Sequence, residues 1–328
     1  MATAPETKLT ASQQGRVEEA LMATWSDRTR ASYASQWKSW LAWCRRQGAC
    51  PLPADPESVT VYLAERAAGV KLATLHLARC AIAARHRQMG MDDPTRHGRV
   101  RQVLSGLARQ YGTAQKQVAG LTAAGLAAIK ATALRPRLGP KGRRESAAHA
   151  GRRGLTDIAL CSVMRDGLLR RSEAAGLTWG DIDRDVDGSG RLFLSRSKTD
   201  PTGNGCVLYL SAETMQCLDA IRPPNAAPGA SVFRMTPATV RRRIAAAARA
   251  AGLGAGYSGH SARIGMAQDL AAAGVELPAL MSAGRWESPT MPARYVRNEE
   301  AGRGAVARYY RAREEAVTKG NRRVRRRG

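Results

Sequence analysis

The sequence lacks the features that mark membrane, secreted and metal-dependent proteins. It has no stretch of about 18 apolar residues, and its first residues, MATAPETKLTASQQG, contain no apolar run of the signal-peptide kind. Its six cysteines form no CxxC pair, which argues against metal and disulfide frameworks. These absences predict a soluble cytoplasmic protein with no metal, no cofactor and no membrane partner.

Acidic residues are also scarce. The chain has 27 Asp and Glu against 52 Lys and Arg, which gives a formal charge of +25. This balance is typical of proteins that bind nucleic acid. With 44% hydrophobic residues the chain can still bury proper cores, and its 328 residues suggest two domains.

The first third of the chain predicts a compact helical domain. The stretch TRASYASQWKSWLAWCRRQG, residues 29–48, has its aromatic residues at helical spacing, and we expect its tryptophans to lie in the core. Amphipathic patterns predict further helices at 56–69, 73–89 and 94–110. Polar positions of these helices are almost all basic: His76, Arg79, Arg85, His86, Arg87, Arg99, Arg101 and Arg109. A helix face that is merely solvated would carry both acidic and basic side chains, so we predict that these basic side chains contact DNA phosphates.

The rest of the chain predicts a second, mainly helical domain. Residues 111–120 have no apolar period and are typical of a linker. The Gly- and Arg-rich run 135–154 is interpreted as a mobile loop able to lie on DNA, or as a disordered insert. In residues 190–211, apolar and polar side chains alternate on both sides of a turn. This pattern predicts an antiparallel hairpin, with Lys198 just before the turn. A helix at 236–252 could enter a major groove with Arg241, Arg242, Arg243 and Arg249.

The segment YSGHSARIGMAQDL contains an electrostatic contradiction. Its periodicity predicts a helix over residues 260–270 that opens near Ser258. His260 and Arg263 then share the first turn, where the helix dipole disfavours cations. Either Arg263 is solvated or paired with a carboxylate such as Asp269, or a phosphate docks at this turn.

Five motifs occur in an order that carries a resemblance: LLRRSEAAGL, a lysine on a hairpin, SGHSAR, AGRW and ARYVRN. Together they resemble the catalytic set of the tyrosine recombinase (phage integrase) family, and within it the Cre-like recombinases. The resemblance is strong over residues 155–310 and weaker over 25–115. AGRW stands in place of the more usual Leu-Gly-His, and Ile264 stands where many members have a second His.

The resemblance implies seven catalytic residues: Arg170, Glu173, Lys198, His260, Arg263, Trp286 and Tyr295. Arg171 is a rival for the role of Arg170. Trp286 matches a position that is His in most members and Trp in Cre-like ones. Tyr257, Tyr309 and Tyr310 compete with Tyr295 as nucleophile, but we expect Tyr257 to be packed and the other two to pack onto the domain or a neighbour.

These residue types suit phosphodiester cleavage without a metal or ATP. The reaction needs a nucleophile, an acid for the departing oxygen, and cations for the non-bridging oxygens. The resemblance assigns Tyr295 to the attack and Lys198 to protonation of the 5′ oxygen. The arginines, the Trp286 indole and His260 would hold the phosphoryl oxygens, and His260 could exchange the tyrosyl proton.

The resemblance also implies a fold and an assembly. The fold is mainly α: an all-α core-binding domain and an α-rich catalytic domain with a small antiparallel sheet, closed as a C-shaped clamp on DNA. We place a flexible N-terminus at 1–14, the DNA-binding domain at 15–112, a linker at 113–120, the catalytic domain at 121–315 and a basic tail at 316–328. The implied partners are double-stranded DNA with inverted-repeat sites and a homotetramer on two sites, with a monomer or dimer on one.

Two other functions fit parts of the sequence. A type IB topoisomerase or telomere resolvase shares the chemistry but does not exchange partners. A catalytically silent DNA-binding protein is allowed by charge alone, although the complete catalytic set argues against it.

Overall fold

The computed structural model describes residues 24–113, 117–139, 142–195 and 205–301, with isolated positions before and after them. The chain divides into two compact units, Met1–Lys116 and Gln117–Gly328. The described residues are mostly helical, with a three-stranded antiparallel sheet in the second unit. The predicted fold class, mainly α with a small antiparallel sheet, is confirmed.

Four helices make up the described part of the first unit. They are α1 (Asp27–Gln47), α2 (Pro56–Arg66), α3 (Leu72–Gln88) and α4 (Gly98–Tyr111), with a 3₁₀ turn at Pro94–Arg96 before α4. Local sequence signals set their ends: Ser26 caps the start of α1, and Asp55 caps α2 directly before a proline. Gly48 ends α1 in the left-handed conformation that glycine adopts without strain.

Tryptophans of α1 form the centre of this unit, as the sequence predicts. Trp40 and Trp43 are buried, and their rings stack with centroids 5.3 Å apart. Tyr62 of α2 meets Trp40 edge-on at 5.0 Å. These aromatic side chains are therefore core residues and are not available to stack on DNA bases.

His86 corrects one sequence prediction. The residue is fully buried. Its Nε2 accepts a hydrogen bond from the backbone N–H of Ala54 at 2.9 Å, so the other nitrogen, Nδ1, is left to donate to the carbonyl of Ile82 at 2.8 Å. The prediction that His86 contacts phosphate was wrong, because helical spacing alone does not reveal that a second segment covers this side chain.

Eight helices and three strands make up the described part of the second unit. In chain order they are α5 (Ala123–Thr132), α6 (Ala147–Asp166), α7 (Arg171–Gly176), β1 (Ile182–Arg184), β2 (Gly190–Leu194), β3 (Cys206–Leu210), α8 (Ala212–Asp219), α9 (Pro237–Ala250), α10 (Ser261–Ala272), α11 (Leu277–Gly284) and α12 (Thr290–Ala301). A 3₁₀ turn at Trp179–Asp181 leads into β1.

The sheet has the order β1-β2-β3 and is antiparallel throughout. In the predicted hairpin, Leu192 pairs with Leu208 and Leu194 with Cys206, so that prediction is confirmed. Strand β1 was not predicted, because its three residues carry no alternation that distinguishes them from a loop. Lys198 lies outside the described residues.

The Gly- and Arg-rich run is not a loop over its whole length. Ser146 caps α6, and residues 147–154 form its first two turns. The buried carboxylate of Asp157 binds the guanidinium groups of Arg137 at 3.0 Å, Arg153 at 3.2 Å and Arg243 at 2.6 Å. The interpretation of 147–154 as part of a mobile loop was wrong, because these residues begin α6, and Asp157 of the same helix binds Arg137 and also Arg243 of α9.

Helix α10 lies directly against the start of the second unit. Gly265 has no room for a side chain, since an added Cβ would lie 1.9 Å from the carbonyl oxygen of Leu121. The backbone N–H of Leu121 donates to Ser261 at 2.7 Å. Arg165 of α6 donates to the carbonyl of Leu121 and, at 2.6 Å, to Asp269. The position of α10 is thus fixed at both of its ends.

Candidate active site

Arg263 lies in the first turn of α10 and is almost fully buried, at 3% exposure. One terminal nitrogen donates to the carbonyl of Leu168 and the other to that of Gly284. Solvation therefore does not explain this arginine. Pairing with Asp269 does not explain it either, because that carboxylate binds Arg165.

The electrostatics of Arg263 favour an anion at this turn. Burial lowers the pKa of Arg263 to about 9, and the nearby cations Arg170 and Arg285 act in the same direction, against Glu173. Burial and neighbouring cations destabilise the charged form of the Arg263 guanidinium. A negative ligand bound beside it would stabilise that charged form again. In the structure, as in the sequence, a cation therefore lies at the helix end where the dipole disfavours positive charge. A bound phosphate would offset that charge.

Arg170 is held by Glu173 at the start of α7. Glu173 is buried, and its carboxylate accepts from the backbone N–H of Arg170 at 2.8 Å and from its guanidinium at 2.7 Å. Both the backbone and the side chain of Arg170 are therefore fixed by one carboxylate. The rival Arg171 lies against Gly259, where an added Cβ would be 3.0 Å from its side chain.

Sequence reasoning missed Arg285, which follows the last residue of α11. Its Nη2 donates to Glu173 at 2.9 Å, so Glu173 lies between two guanidinium groups, those of Arg170 and Arg285. The motif AGRW shows an arginine directly after a glycine at a helix end, but nothing in that pattern reveals a contact with a residue more than 100 positions earlier.

Trp286 and Tyr295 pack together next to Arg263. The Trp286 ring centroid lies 4.3 Å from the guanidinium carbon of Arg263, a cation–π distance, and 6.0 Å from the ring centroid of Tyr295. An added Cβ on Gly284 would lie 1.8 Å from the Trp286 ring, so glycine is required there. Val296 is buried beside Tyr295 and anchors α12.

Tyr295 is a phenol that does not ionise readily. Burial raises its pKa above the usual value, while Arg263, Arg294 and Arg170 act in the opposite direction. The phenol is therefore protonated at neutral pH and needs a proton acceptor before it can attack.

His260 is suited to accept a proton near neutral pH. The residue precedes the first turn of α10 and is exposed. Partial desolvation and the cations Arg171, Arg263 and Arg170 lower its pKa, against Glu173. The imidazole is consequently neutral at pH 7 and has a free basic nitrogen.

The competing tyrosines lie in other environments. Tyr257 is partly buried against the core of the second unit, as expected. Tyr309 and Tyr310 are 61% and 54% exposed, with their ring centroids 5.3 Å apart. Among the described residues the pair is not packed onto the domain, so that part of the expectation is not met.

The predicted DNA-contacting side chains fall into two groups. His76, Arg85, Arg87, Arg241 and Arg242 are exposed, whereas Arg79 and Arg243 are half-buried. Arg243 donates to Asp157 at 2.6 Å and to the carbonyl of Arg153 at 2.8 Å. These contacts give Arg243 a structural role on the face of α9 that packs inward, which separates it from its neighbours in the predicted groove-reading set.

Neither a metal cluster nor a membrane span is found among the residues that the structure describes. No group of three or more His, Cys, Asp or Glu side chains is arranged to hold a metal ion there. None of the helices in that part of the chain is both long and apolar enough to cross a membrane.

Comparisons with known proteins identify the family. The chain matches the phage integrase family over residues 145–301, a span that includes all seven predicted catalytic positions. The recombinase Cre of Escherichia phage P1 is 27% identical over 315 residues, which cover 86% of this chain and 88% of Cre. The chain belongs to the phage integrase family of tyrosine recombinases. It is therefore a site-specific DNA recombinase, an enzyme that transfers DNA strands.

Solved structures of tyrosine recombinases share the fold of this one. The Tn1549 transposon integrase in complex with transposon right end DNA has 15% identity and a TM-score of 0.59, over 90% of this chain and 99% of the integrase. A lambda integrase tetramer bound to a Holliday junction has 17% identity and a TM-score of 0.52, over 87% of this chain and 76% of the integrase. At these identities the likeness establishes the helical fold with its small sheet.

Proposed function

We propose that this tyrosine recombinase cleaves duplex DNA through a covalent 3′-phosphotyrosine on Tyr295 and rejoins the strands in a new combination. The observation that carries the proposal is the environment of Tyr295: a half-buried phenol beside Trp286, with Arg263 and Arg170 close enough to act on its pKa. A nucleophile next to two arginines is the arrangement that attack on a phosphodiester requires.

Cleavage forms one bond to the scissile phosphorus and breaks another. The phenolic oxygen of Tyr295 bonds to the scissile phosphorus, and the bond from phosphorus to the 5′ oxygen breaks. His260, neutral at pH 7, accepts the phenolic proton, and Lys198 gives a proton to the departing 5′ oxygen. The reverse steps with another 5′ hydroxyl restore the phosphodiester. Because the phosphotyrosine ester keeps the bond energy, no ATP is needed.

Charge on the phosphoryl oxygens is the second requirement. We assign its stabilisation to Arg263 and Arg170, assisted by the Trp286 indole N–H, with Glu173 holding Arg170 in place. Arg263 already donates to two carbonyl groups, so it is oriented before DNA binds. Such preorganised donors lower the barrier because they need no rearrangement during the reaction.

DNA binding and assembly complete the proposal. We assign residues 15–112 to DNA binding and 121–315 to catalysis, joined by a linker at 113–120. The exposed arginines Arg241 and Arg242 of α9 are proposed to read bases, while His76, Arg79, Arg85 and Arg87 contact phosphates. We propose inverted-repeat target sites, a homotetramer that exchanges strands through a Holliday junction, and action in the cytoplasm, where the DNA substrate is found.

The test is covalent trapping on a nicked suicide substrate, from which the cleaved strand diffuses away. The unmodified protein is expected to form a protein–DNA adduct in EDTA without nucleotide. Tyr295→Phe should bind the same DNA with unchanged affinity but form no adduct, because it lacks the nucleophilic oxygen.

Tyr309→Phe and Tyr310→Phe are the matched controls, since each removes one phenolic oxygen from an exposed position. Both variants are expected to retain the adduct. An adduct that persists in Tyr295→Phe and maps to either of these tyrosines would overturn the assignment of the nucleophile.

A further inference from the structure

Arg285 has a backbone conformation that its side chain disfavours. Helix α11 ends at Gly284, and Arg285 follows with φ 55° and ψ 50°, in the left-handed region. Leu168, before α7, also has a positive φ, of 44°. Residues with a Cβ are unfavourable in this region, and they persist where surrounding contacts hold them, often at functional sites.

The contacts that hold Arg285 lead to Leu168 and its neighbours. Its Nη1 donates to the carbonyl of Gly167 at 3.0 Å, and its Nη2 donates to Leu168 at 3.3 Å and to Glu173 at 2.9 Å. The side chain of Arg285 is 11% exposed and that of Glu173 is 3% exposed. Two strained backbone segments are therefore joined to each other by one buried guanidinium.

The acceptors of Arg285 are shared with the two proposed catalytic arginines. Leu168 also accepts from Arg263, and Glu173 also accepts from Arg170 at 2.7 Å. The carbonyl of Gly284, directly before Arg285, accepts from Arg263 as well. With Arg285 present, the one negative charge of Glu173 is divided between two cations, which leaves more of the positive charge of Arg170 for a ligand.

We infer that Arg285 is a positioning residue for strand cleavage, which fixes Arg170 through their shared acceptor Glu173 and does not itself touch DNA. This inference rests on the proposed function. Arg170 without Arg285 would keep its ion pair with Glu173, but that carboxylate would lose the contact that anchors it to the end of α11. The guanidinium of Arg170 would then be displaced from the scissile phosphate.

Arg285→Gly removes the side chain but keeps the backbone conformation, because glycine adopts the left-handed conformation without strain. The variant loses the buried contacts of Arg285 but is also relieved of the unfavourable backbone conformation, so it is expected to fold and to bind DNA with the same affinity. Its single-turnover cleavage rate at saturating DNA should fall about tenfold to a hundredfold, the cost of misplacing a catalytic group. A rate equal to that of the unmodified protein would overturn the inference.

Two further variants keep the test decisive. Arg285→Lys retains a cation but cannot reach three acceptors with one planar group, so its rate should also fall, and an unchanged rate would overturn the inference even if the glycine variant fails to fold. Arg234→Gly is the matched control: Arg234 is exposed and has φ 49°, and its removal should leave the cleavage rate unchanged.

A double-mutant cycle identifies the route of the effect. If Arg285 acts through Arg170, the variant with both Arg170→Ala and Arg285→Gly should cleave no more slowly than Arg170→Ala alone. Rate losses that multiply would refute that route. Failure of the proposed function is recognised separately, because the unmodified protein would then form no adduct at Tyr295.

Discussion

Gly265→Ala is expected to damage catalysis from a position that does not touch the substrate. An added Cβ would lie 1.9 Å from the carbonyl oxygen of Leu121, 2.0 Å from its carbonyl carbon and 2.6 Å from its nitrogen. These are backbone atoms, which cannot rotate away. Ordinary contact begins at about 3.5 Å, so α10 and Leu121 would have to separate by about 1.5 Å.

The separation has a calculable effect on stability and on rate. Replacing glycine by alanine within a helix is worth about 0.5 to 1 kcal/mol of stabilisation, whereas overpacking costs about 1 to 3 kcal/mol. The net result is a loss of about 0 to 2.5 kcal/mol, with about 1 kcal/mol in the middle of the range. Because α10 also carries Arg263, a displacement of about 1 Å should slow cleavage by about a hundredfold.

The assay compares single-turnover cleavage and urea unfolding of Gly265→Ala with those of Gly151→Ala. Gly151 lies within α6, and nothing would lie within 4 Å of its added Cβ. Gly151→Ala should therefore be slightly more stable and cleave at the rate of the unmodified protein. If Gly265→Ala also gained stability and kept its rate, the close contact between α10 and Leu121 would be refuted.

Two other outcomes are expected. In NMR titrations of the DNA-free protein, the pKa of His260 should lie below its usual value of 6.5. As the pH falls below 6.5, the neutral imidazole and the free energy of unfolding should therefore both decline. A titration midpoint at or above 6.5 would contradict the stated electrostatics. Asp157→Asn should lower the free energy of unfolding by about 3 kcal/mol, at the lower end for a buried pair because Arg137 and Arg243 are 17% and 25% exposed. Asp183→Asn, at an exposed position, is the control, and equal losses in urea unfolding would refute the role of Asp157.

Local patterns in the sequence determined the four described helices of the first unit and the hairpin of the second. Helical spacing places Trp40 and Trp43 on the buried side of α1, and alternation places Leu192 and Leu194 on the buried face of their strand. These predictions succeed because side chains three or four residues apart in a helix, or two apart in a strand, share a face wherever the element lies. The order of the motifs likewise indicated the family, because motifs are recognised along the chain and require no information on which residues are in contact.

Burial of individual polar residues was decided by tertiary structure. His86 and Arg243 stand in basic patterns that predict DNA contacts, yet one accepts a hydrogen bond from Ala54 and the other binds Asp157, 86 positions earlier in the chain. Nothing in a helical repeat distinguishes a basic side chain that faces solvent from one that faces a second segment. The sign of a charge is a property of the sequence, but its partner is a property of the fold.

The active site shows the same division. The sequence alone indicated that Arg263 stands at the unfavourable end of a helix dipole and that an anion would relieve it. The tertiary structure decided how the guanidinium is held, by carbonyl groups of Leu168 and Gly284, and it alone brought Arg285 to Glu173. Dipole and charge act over a few neighbouring residues and can be read locally, whereas these contacts join segments up to 112 positions apart, which only the packing of α7, α10 and α11 brings within hydrogen-bonding distance.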